Sequence, residues 1–180
     1  MAVKVLSEIP FLQDGDLVLR RLESQDAGAL KEMVDNLRVY RYLPTFLFEK
    51  KYDDIDYVIK HLYDECFPES LILGVFKSNK FCGLAEFYGY TEKTHKISIG
   101  YRSNEQSWGK GIATEVVKLM LRYLYENTDI EIITASTMVE NKASAKALQK
   151  NGFKLIVSGA DEDWGYGEPT KADKWIKRIH

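Results

Sequence analysis

Hydrophobic residues along this chain recur with two periods, one typical of helices and one typical of strands. Apolar residues at helical spacing predict a helix starting at Ser24 and further helices over 53–66, 112–125 and 142–150. Short runs rich in β-branched and aromatic residues predict strands over 17–22, 71–77, 81–88, 96–102, 131–138, 153–158 and 173–179. The segment 36–48 is rich in aromatic residues and contains Pro44, which predicts a loop between the first two helices.

The order of these elements predicts a single domain over residues 1–180. The strands between 71 and 102 follow one another as an antiparallel meander, whereas strands and helices alternate afterwards, which favours crossover connections. No internal repeat and no linker-like stretch divides the chain. We therefore expect an α/β (α+β) fold, with a mostly antiparallel central sheet of about six to seven strands and helices on both faces.

Composition narrows the possible functions without identifying one. Hydrophobic residues make up 45% and charged residues 29% of the chain, and the formal net charge is −2. This balance excludes wholesale disorder and argues against nucleic acid or an anionic membrane as a partner. The two cysteines, Cys66 and Cys82, imply no disulfide framework and are expected to be buried thiols in a reducing compartment. Residues 1–16 lack the pattern of a signal peptide, so a cytoplasmic location is expected.

The segment 97–115 carries the strongest chemical signal. It combines a strand, a polar turn, Gly109, Gly111 and the start of a long helix. Glycines at such a junction allow backbone N–H groups to approach a ligand, and the first amides of a helix favour an anion such as pyrophosphate. The alternative is a tight turn into a packed helix. Neither the P-loop nor the dinucleotide pattern fits, because Thr114 stands where the latter has its third glycine or alanine.

The stretch 108–115, Trp-Gly-Lys-Gly-Ile-Ala-Thr-Glu, resembles the pyrophosphate loop of the GNAT superfamily of acyl-CoA-dependent N-acetyltransferases. The residues 141–144, Asn-Lys-Ala-Ser, followed by Leu148, Lys150, Gly152 and Phe153, resemble the second signature of that family. The stretches 19–22 and 40–44 look like the branch that acetylates the N-termini of ribosomal proteins. The resemblance runs from about Asp16 to the C-terminus and implies a V-shaped splay between the strands at 96–102 and 131–138.

The resemblance implies acetyl-CoA as co-substrate and assigns residues to it. The coenzyme A diphosphate would lie on the backbone amides of Gly109, Lys110, Gly111, Ile112, Ala113 and Thr114. The pantetheine arm would pair with the backbone of Tyr101, Arg102 and Ser103, and the Tyr101 amide would face the thioester carbonyl and stabilise the oxyanion. Asn141 would contact the cofactor or hold its loop, with Ser144 on the same side.

Three positions depart from the family pattern and put the acid and base in doubt. Trp108 replaces the usual Arg or Gln, Ser98 stands where a glutamate base is common, and Leu148 replaces the tyrosine that protonates the thiolate. Glu86 would be a base if it faces the cleft, and the alternative is a solvated strand-face residue. Ser144 would donate a proton to the thiolate, or serve only as a local hydrogen bonder. A chain of ordered water molecules could also deprotonate the amine.

The remaining candidates are histidines and aromatic clusters. His95 lies in a polar turn, and His61 and His180 have no partners at metal-ligand spacing, so no metal is assigned. An aromatic cluster between the first two helices either lines the acceptor side of the cleft or covers the core; its members are Tyr40, Tyr42, Phe46 and Phe48. The stretch 164–167, Trp-Gly-Tyr-Gly, would form the opposite wall or a dimer contact.

These signals together predict transfer of acetyl from acetyl-CoA to a primary amine by direct attack in a ternary complex. The acceptor would be a small molecule or a protein N-terminus, and the enzyme would be a monomer or a homodimer. A GNAT-fold module that holds acyl-CoA without turnover is the alternative, since a fold does not determine a function. No residue selects among the possible amines.

Overall fold

The computed structural model describes residues 7–42, 53–67, 69–164 and 166–179. Their α-helices are α1 (Ala27–Asp35), α2 (Ile55–Asp64), α3 (Ile112–Asn127) and α4 (Lys142–Lys150). Their strands are β1 (Leu12–Asp14), β2 (Leu17–Arg20), β3 (Ser70–Lys77), β4 (Lys80–Thr91), β5 (Lys96–Ser103), β6 (Ile132–Met138), β7 (Lys154–Glu162) and β8 (Thr170–Arg178). Short 3₁₀ turns precede α1, follow it at Leu37–Tyr40, and occupy Glu105–Ser107 ahead of α3.

One sheet of eight strands forms the centre of the described structure, in the order β1-β2-β3-β4-β5-β6-β8-β7. All neighbouring strands are antiparallel except β5 and β6. The mixed, mostly antiparallel architecture is confirmed, while the expected number of six to seven strands is wrong. The strand that was missed is β1, which is only three residues long and pairs with β2 around Gly15. So short a strand carries no periodic signal.

Helices pack in two pairs, α1 with α2 and α3 with α4. Every residue of β3 from Leu71 to Phe76 is buried. Because successive side chains of a strand point to opposite faces, both faces of the sheet are covered at its centre. The long helix α3 buries a continuous apolar stripe that includes Val117, Met120 and Leu124. None of the described helices is long and apolar enough to span a membrane.

Several predicted boundaries shift by a few residues. The first strand ends at Arg20 rather than at residue 22, and the helix expected from Ser24 begins with a 3₁₀ turn before α1. The last two strands are longer than predicted, since they pair with each other over most of their length. The loop predicted over 36–48 contains the turn Leu37–Tyr40, and its remainder from residue 43 lies outside the described residues.

The sheet opens between β5 and β6. Their parallel pairing joins only Lys96–Ser98 to Ile132–Thr134. Beyond this point β5 runs on to Ser103 and β6 to Met138 without further pairing to each other, whereas β5 stays paired with β4 to its end. The V-shaped splay that the resemblance implied is therefore present, and one side of the β5 backbone from Ile99 onward faces an opening.

Candidate functional site

A glycine-containing loop joins the opened end of β5 to α3. Gly109 and Gly111 have φ angles of 72° and 76°, in the left-handed region that favours glycine. A Cβ atom at either position would have no neighbour within 4 Å, so the loop is open on the side where these residues lie. Gly111 precedes α3, and no side chain caps this helix start. The first amides of a sixteen-residue helix are thus available to an anion.

The side chains around this loop hold it in place. Asn104 donates its amide to the carbonyl of Phe81 at 2.9 Å, and Ser107 donates its hydroxyl to Asn104. The side chain of Ile112 is buried under the loop, while Lys110 is exposed. At the C-terminal end of α4, the Asn151 side-chain amide donates to the carbonyl of Thr114 in α3 at 3.1 Å. The two halves of the predicted coenzyme site, around α3 and α4, are therefore tied together.

Trp108 packs this turn from the outside. Its indole Nε1 donates to the carbonyl of Ser103 at 3.1 Å, and 44% of the residue remains exposed. The side chain therefore joins the end of β5 to the start of the loop. Because the indole is uncharged and its N–H is already donated to Ser103, the Trp108 side chain cannot replace the Arg or Gln side chain of the family pattern.

Tyr101 and Ser144 form a hydroxyl pair across the opening between β5 and α4. The Tyr101 hydroxyl lies 2.7 Å from Ser144 Oγ and 3.2 Å from the Ser144 carbonyl. Asn141 caps α4 by accepting the amide of Ser144 at 3.2 Å. Burial raises the pKa of Tyr101 to about 12, so the phenol remains protonated at neutral pH. The sequence assigned only the backbone of Tyr101 to the site and did not predict this side-chain contact.

Two of the three positions that depart from the family pattern, Ser98 and Leu148, make structural contacts. Ser98 Oγ lies 2.8 Å from Thr134 Oγ1, at the last paired position between β5 and β6. This hydroxyl pair closes the narrow end of the splay. Leu148 is fully buried and belongs to the hydrophobic core. Neither residue is available as an acid or a base.

Glu86 faces inward from β4 and is not a solvated strand-face residue. Its side chain is 24% exposed and accepts a hydrogen bond from the Ser70 hydroxyl at 2.5 Å. Arg102 Nη2 lies 3.6 Å from Glu86 Oε2. Glu86 is paired with Gly100, where a Cβ would stand 3.7 Å from the carboxylate, so the carboxylate lies against β5 at the opening. The sequence analysis assigned only the backbone of Arg102 to the coenzyme site. In the structure its buried guanidinium also lies beside the Glu86 carboxylate.

Further polar residues beside Glu86 were not singled out from the sequence. Burial, with the negative charges of Glu86 and Glu162, raises the pKa of Tyr88 to about 12. Lys174 Nζ lies 2.6 Å from Glu162 Oε2 and donates to Ser136 Oγ at 3.0 Å. These residues come from four strands that are distant in sequence, so only the sheet register could have grouped them. In the described residues they form a polar strip beside the splay.

The aromatic candidates are partly brought together. The Tyr166 hydroxyl donates to the Tyr40 carbonyl at 3.1 Å, which joins the segment after α1 to the connection between β7 and β8. Tyr40 and Trp164 are buried, which favours a role in packing for their rings. Phe46 and Phe48 of the predicted cluster, and Gly165 of the stretch 164–167, lie outside the described residues.

The histidines do not form a site in the described residues. His95 lies in a left-handed turn and contacts Asp129 at 3.0 Å, in agreement with the surface position expected for it. His61 is mostly buried on α2 and contacts Glu65 at 2.9 Å. His180 is outside the described residues. Within the ranges that are described, no group of His, Cys, Asp and Glu is arranged to hold a metal, and both cysteines are buried thiols.

A second set of contacts fastens the glycine loop to the turn after α1. Glu105 accepts the Asn36 side-chain amide at 2.9 Å and forms an ion pair with Arg38. Gln106 donates to Glu32 at 3.3 Å. A cavity of about 700 Å³ lies beneath these contacts, between α1, the β3–β4 turn and the loop. The loop is therefore held from the α1 side as well as from α4.

Comparison with known proteins assigns this arrangement to a family. The sequence profile described as acetyltransferase (GNAT) domain matches residues 16–154. Among curated proteins, the chain is 27% identical over 148 residues to the uncharacterized N-acetyltransferase YoaA of Bacillus subtilis, a match that covers 80% of this chain and 82% of that protein.

Solved structures share the fold. A GNAT-family acetyltransferase from Bacillus anthracis has a TM-score of 0.80 and 22% identity, with 94% of this chain and 99% of that chain covered. The RimL ribosomal L7/L12 α-N-protein acetyltransferase in complex with coenzyme A has a TM-score of 0.79 and 18% identity, with 94% and 98% covered. At such low identity these likenesses concern the fold alone. The predicted family and fold are confirmed.

Proposed function

Because this chain belongs to the acetyltransferase (GNAT) domain family, whose members are N-acetyltransferases, we propose that it transfers acetyl from acetyl-CoA to a primary amine. The observation that carries this proposal is the opening of the sheet directly beside the glycine loop. The splay exposes one side of the β5 backbone at Tyr101–Ser103. Gly109 and Gly111 follow Tyr101 by eight and ten residues along the chain. An extended arm paired with β5 leads its diphosphate to the free amides of α3.

The reaction is a direct attack within a ternary complex. The amine nitrogen bonds to the thioester carbonyl carbon, the C–S bond breaks, and the sulfur leaves as a thiolate. The amine loses one proton and the thiolate gains one, so the site needs a base and an acid. The backbone amide of Tyr101 is assigned to the oxyanion, because amides preorganised in a closed site stabilise charge that develops in the transition state.

Glu86 is the base in this proposal. Its carboxylate is held by Ser70 and Arg102 at the wall of the opening, and it lies against Gly100, one residue before Tyr101. A carboxylate fixed in this way receives a proton from the amine directly or through one water molecule.

The hydroxyl pair of Tyr101 and Ser144 is the acid. It spans the opening from β5 to α4. The phenol is protonated at neutral pH, because its pKa of about 12 lies far above 7. The tyrosine that the family carries at the position of Leu148 is thus replaced by a tyrosine from β5 that reaches α4. Ser144 either passes this proton on or orients the phenol, and both roles require the same 2.7 Å contact.

The second candidate function is an acyl-CoA-binding module without turnover. It is favoured by the structural contacts of Ser98 and Leu148, which remove the usual base and acid positions from the chemistry. The two candidates share the coenzyme site and differ only in Glu86 and the hydroxyl pair. A measurement of turnover separates them.

The test is release of free thiol from acetyl-CoA in the presence of amino acids, polyamines and peptides with free N-termini. We expect turnover with at least one amine, and Glu86→Gln should lower kcat by about 100-fold or more with unchanged coenzyme A affinity. Glu92→Gln is the matched control, since Glu92 lies in the turn after β4, away from the splay. Normal kcat in Glu86→Gln would exclude Glu86 as the base, and absence of transfer to every amine would favour the binding module.

A further inference from the structure

The cavity of about 700 Å³ between α1, the β3–β4 turn and the glycine loop has no part in the proposed acetyl transfer. Its volume is within the range of pockets that hold small organic ligands. The lining comes from three separate parts of the chain, 29–36, 77–82 and 104–112. Neither β6 nor α4 contributes a lining residue, so the cavity lies on the α1 side of the loop, away from the opening between β5 and β6.

The buried part of this lining is apolar. Met33, Cys82 and Ile112 line the cavity and are buried. Phe81 also lines it, is half-buried, and packs its ring in a T-shaped arrangement against Phe76. Methionine sulfur is polarizable and makes favourable contacts with aromatic rings. The lining therefore favours a ligand with a flat aromatic body.

The neutral polar side chains of the lining are engaged within the protein. Each of these five amides and hydroxyls donates a hydrogen bond to another protein group; they are Asn36, Ser78, Asn104, Gln106 and Ser107. The two carboxylates of the lining, Glu32 and Glu105, accept hydrogen bonds from Gln106 and Asn36. The lysines are left as the main donors to a ligand.

Three lysines line the cavity, and they differ in their partners. Lys77 forms ion pairs with Asp16 and Glu115, at 2.9 and 2.7 Å. Lys80 pairs with Lys77 in the register of β3 and β4, at the base of the turn. Within the part of the chain that the structure describes, Lys80 and Lys110 form no ion pair, and both are exposed. Two ammonium groups at the cavity are therefore available to an anion.

We propose that this cavity binds a small aromatic anion, with the ring against Met33 and Phe81 and the acidic group at Lys80 and Lys110. A carboxylate or a sulfonate suits this place, because each accepts charge-assisted hydrogen bonds from ammonium groups. The site is separate from the coenzyme site, so the anion and coenzyme A bind together. None of the tests below depends on acetyl transfer.

The first test is a fluorescence titration with anilinonaphthalenesulfonate, an aromatic sulfonate whose emission rises in apolar sites. We expect saturable binding, and Lys80→Glu should raise the Kd about 10-fold or more by placing a negative charge beside the sulfonate. Lys60→Glu is the matched control, because Lys60 is exposed on α2, does not line the cavity, and its reversal changes the net charge equally. Its Kd should be unchanged. Circular dichroism and Tm establish that each variant is folded.

A second pair of variants tests the cavity by filling it. Ala29 lines the cavity from α1, so Ala29→Phe puts a ring into the space that the ligand needs, and the Kd should rise about 10-fold or more. Gly28→Phe is the control on the same helix. Gly28 is exposed, does not line the cavity, and has no neighbour within 4 Å of its Cβ position, so binding should be retained.

Uncharged phenylnaphthylamine has the same rings without the sulfonate and separates recognition of the anion from general apolar binding. We expect it to bind about 10-fold more weakly or less. The titration is repeated with saturating coenzyme A, which should not displace the sulfonate. Equal binding by Lys80→Glu and Lys60→Glu, normal binding by Ala29→Phe, equally tight binding of the uncharged rings, or displacement by coenzyme A would each overturn the proposal.

Discussion

At the scale of single residues, backbone conformation and side-chain contacts determine the shape of the glycine loop between β5 and α3. Gly109 and Gly111 adopt left-handed φ angles in open space, so the requirement for glycine is conformational and no packed neighbour imposes it. A residue with a Cβ loses about 1–2 kcal/mol in this conformation. The loop therefore keeps its open amides only while these positions remain glycine.

Gly111→Ala should lower coenzyme A affinity by about 10-fold or more, because the strained residue turns the first amides of α3 away from the ligand. Gly15→Ala is a matched control, since Gly15 also has a positive φ of 59° and no neighbour within 4 Å of its Cβ position, but lies in the β1–β2 turn. Calorimetric titration should show reduced affinity only for Gly111→Ala, while both variants lose similar stability. Equal affinity in the two proteins would refute the assignment of the loop.

At the scale of elements, the loop between β5 and α3 is held from two sides. Glu105 joins it to Asn36 and Arg38 on the α1 side, and Asn151 joins α3 to α4. The turn Leu37–Tyr40 that carries Arg38 is also bound to Tyr166 through the Tyr40 carbonyl. One short segment thus contacts both the glycine loop and the connection between β7 and β8.

Glu105→Ala should weaken coenzyme A binding by about 3- to 10-fold, since it removes both contacts that fasten the loop to the turn after α1. Asp35→Asn is the control, because it breaks the exposed Lys31–Asp35 pair on α1, of a kind worth about 0–1 kcal/mol, away from the loop. Calorimetry should give normal coenzyme A affinity for Asp35→Asn. Unchanged binding in Glu105→Ala would show that the contacts of Glu105 with Asn36 and Arg38 do not hold the loop in its binding conformation.

At the scale of the whole molecule, buried phenols join the layers of the fold. The Tyr63 hydroxyl donates to the Ile72 carbonyl at 2.9 Å and accepts the amide of Leu22 at 2.8 Å, so it links α2 to the sheet and to the end of β2. Burial raises the pKa values of Tyr63, Tyr88 and Tyr101 each to about 12. A protein with three such groups should be sensitive to alkaline pH.

The folded state binds these phenolic protons more tightly than the unfolded state, whose tyrosines titrate near 10. Their contribution to stability is therefore complete below pH 10 and is lost as pH rises from 10 to 12, by about 2–3 kcal/mol for each tyrosine. Denaturant unfolding at pH 8, 10 and 11 should show a steep fall in stability above pH 10. Absorbance of tyrosinate should rise later in the folded protein than in urea, and a single step near 10 would contradict the burial of these hydroxyls.

Local features were predictable from the sequence alone. The helices α2, α3 and α4 and the strands β3 to β6 were located within a few residues, because their periodicity is a property of consecutive positions. Gly109 and Gly111 indicated the loop for a similar reason, because a left-handed φ favours glycine at that position whatever its neighbours are. Two spaced motifs, at 108–115 and 141–153, carried the family resemblance that the profile over 16–154 confirms.

Only the tertiary structure determined which distant residues meet. The inward position of Glu86 depends on its register with Gly100 and Ile72, and a shift of one residue would turn it to the other face. Tyr101 meets Ser144 because β5 and β6 separate after Ser98 and Thr134, a branching that no local pattern encodes. The exposure of β7 likewise follows from its place at the end of the sheet order. The strand register, the splay and the exposed edge all depend on pairing between segments. The free energy that stabilises this pairing comes from contacts between residues that are far apart in the chain.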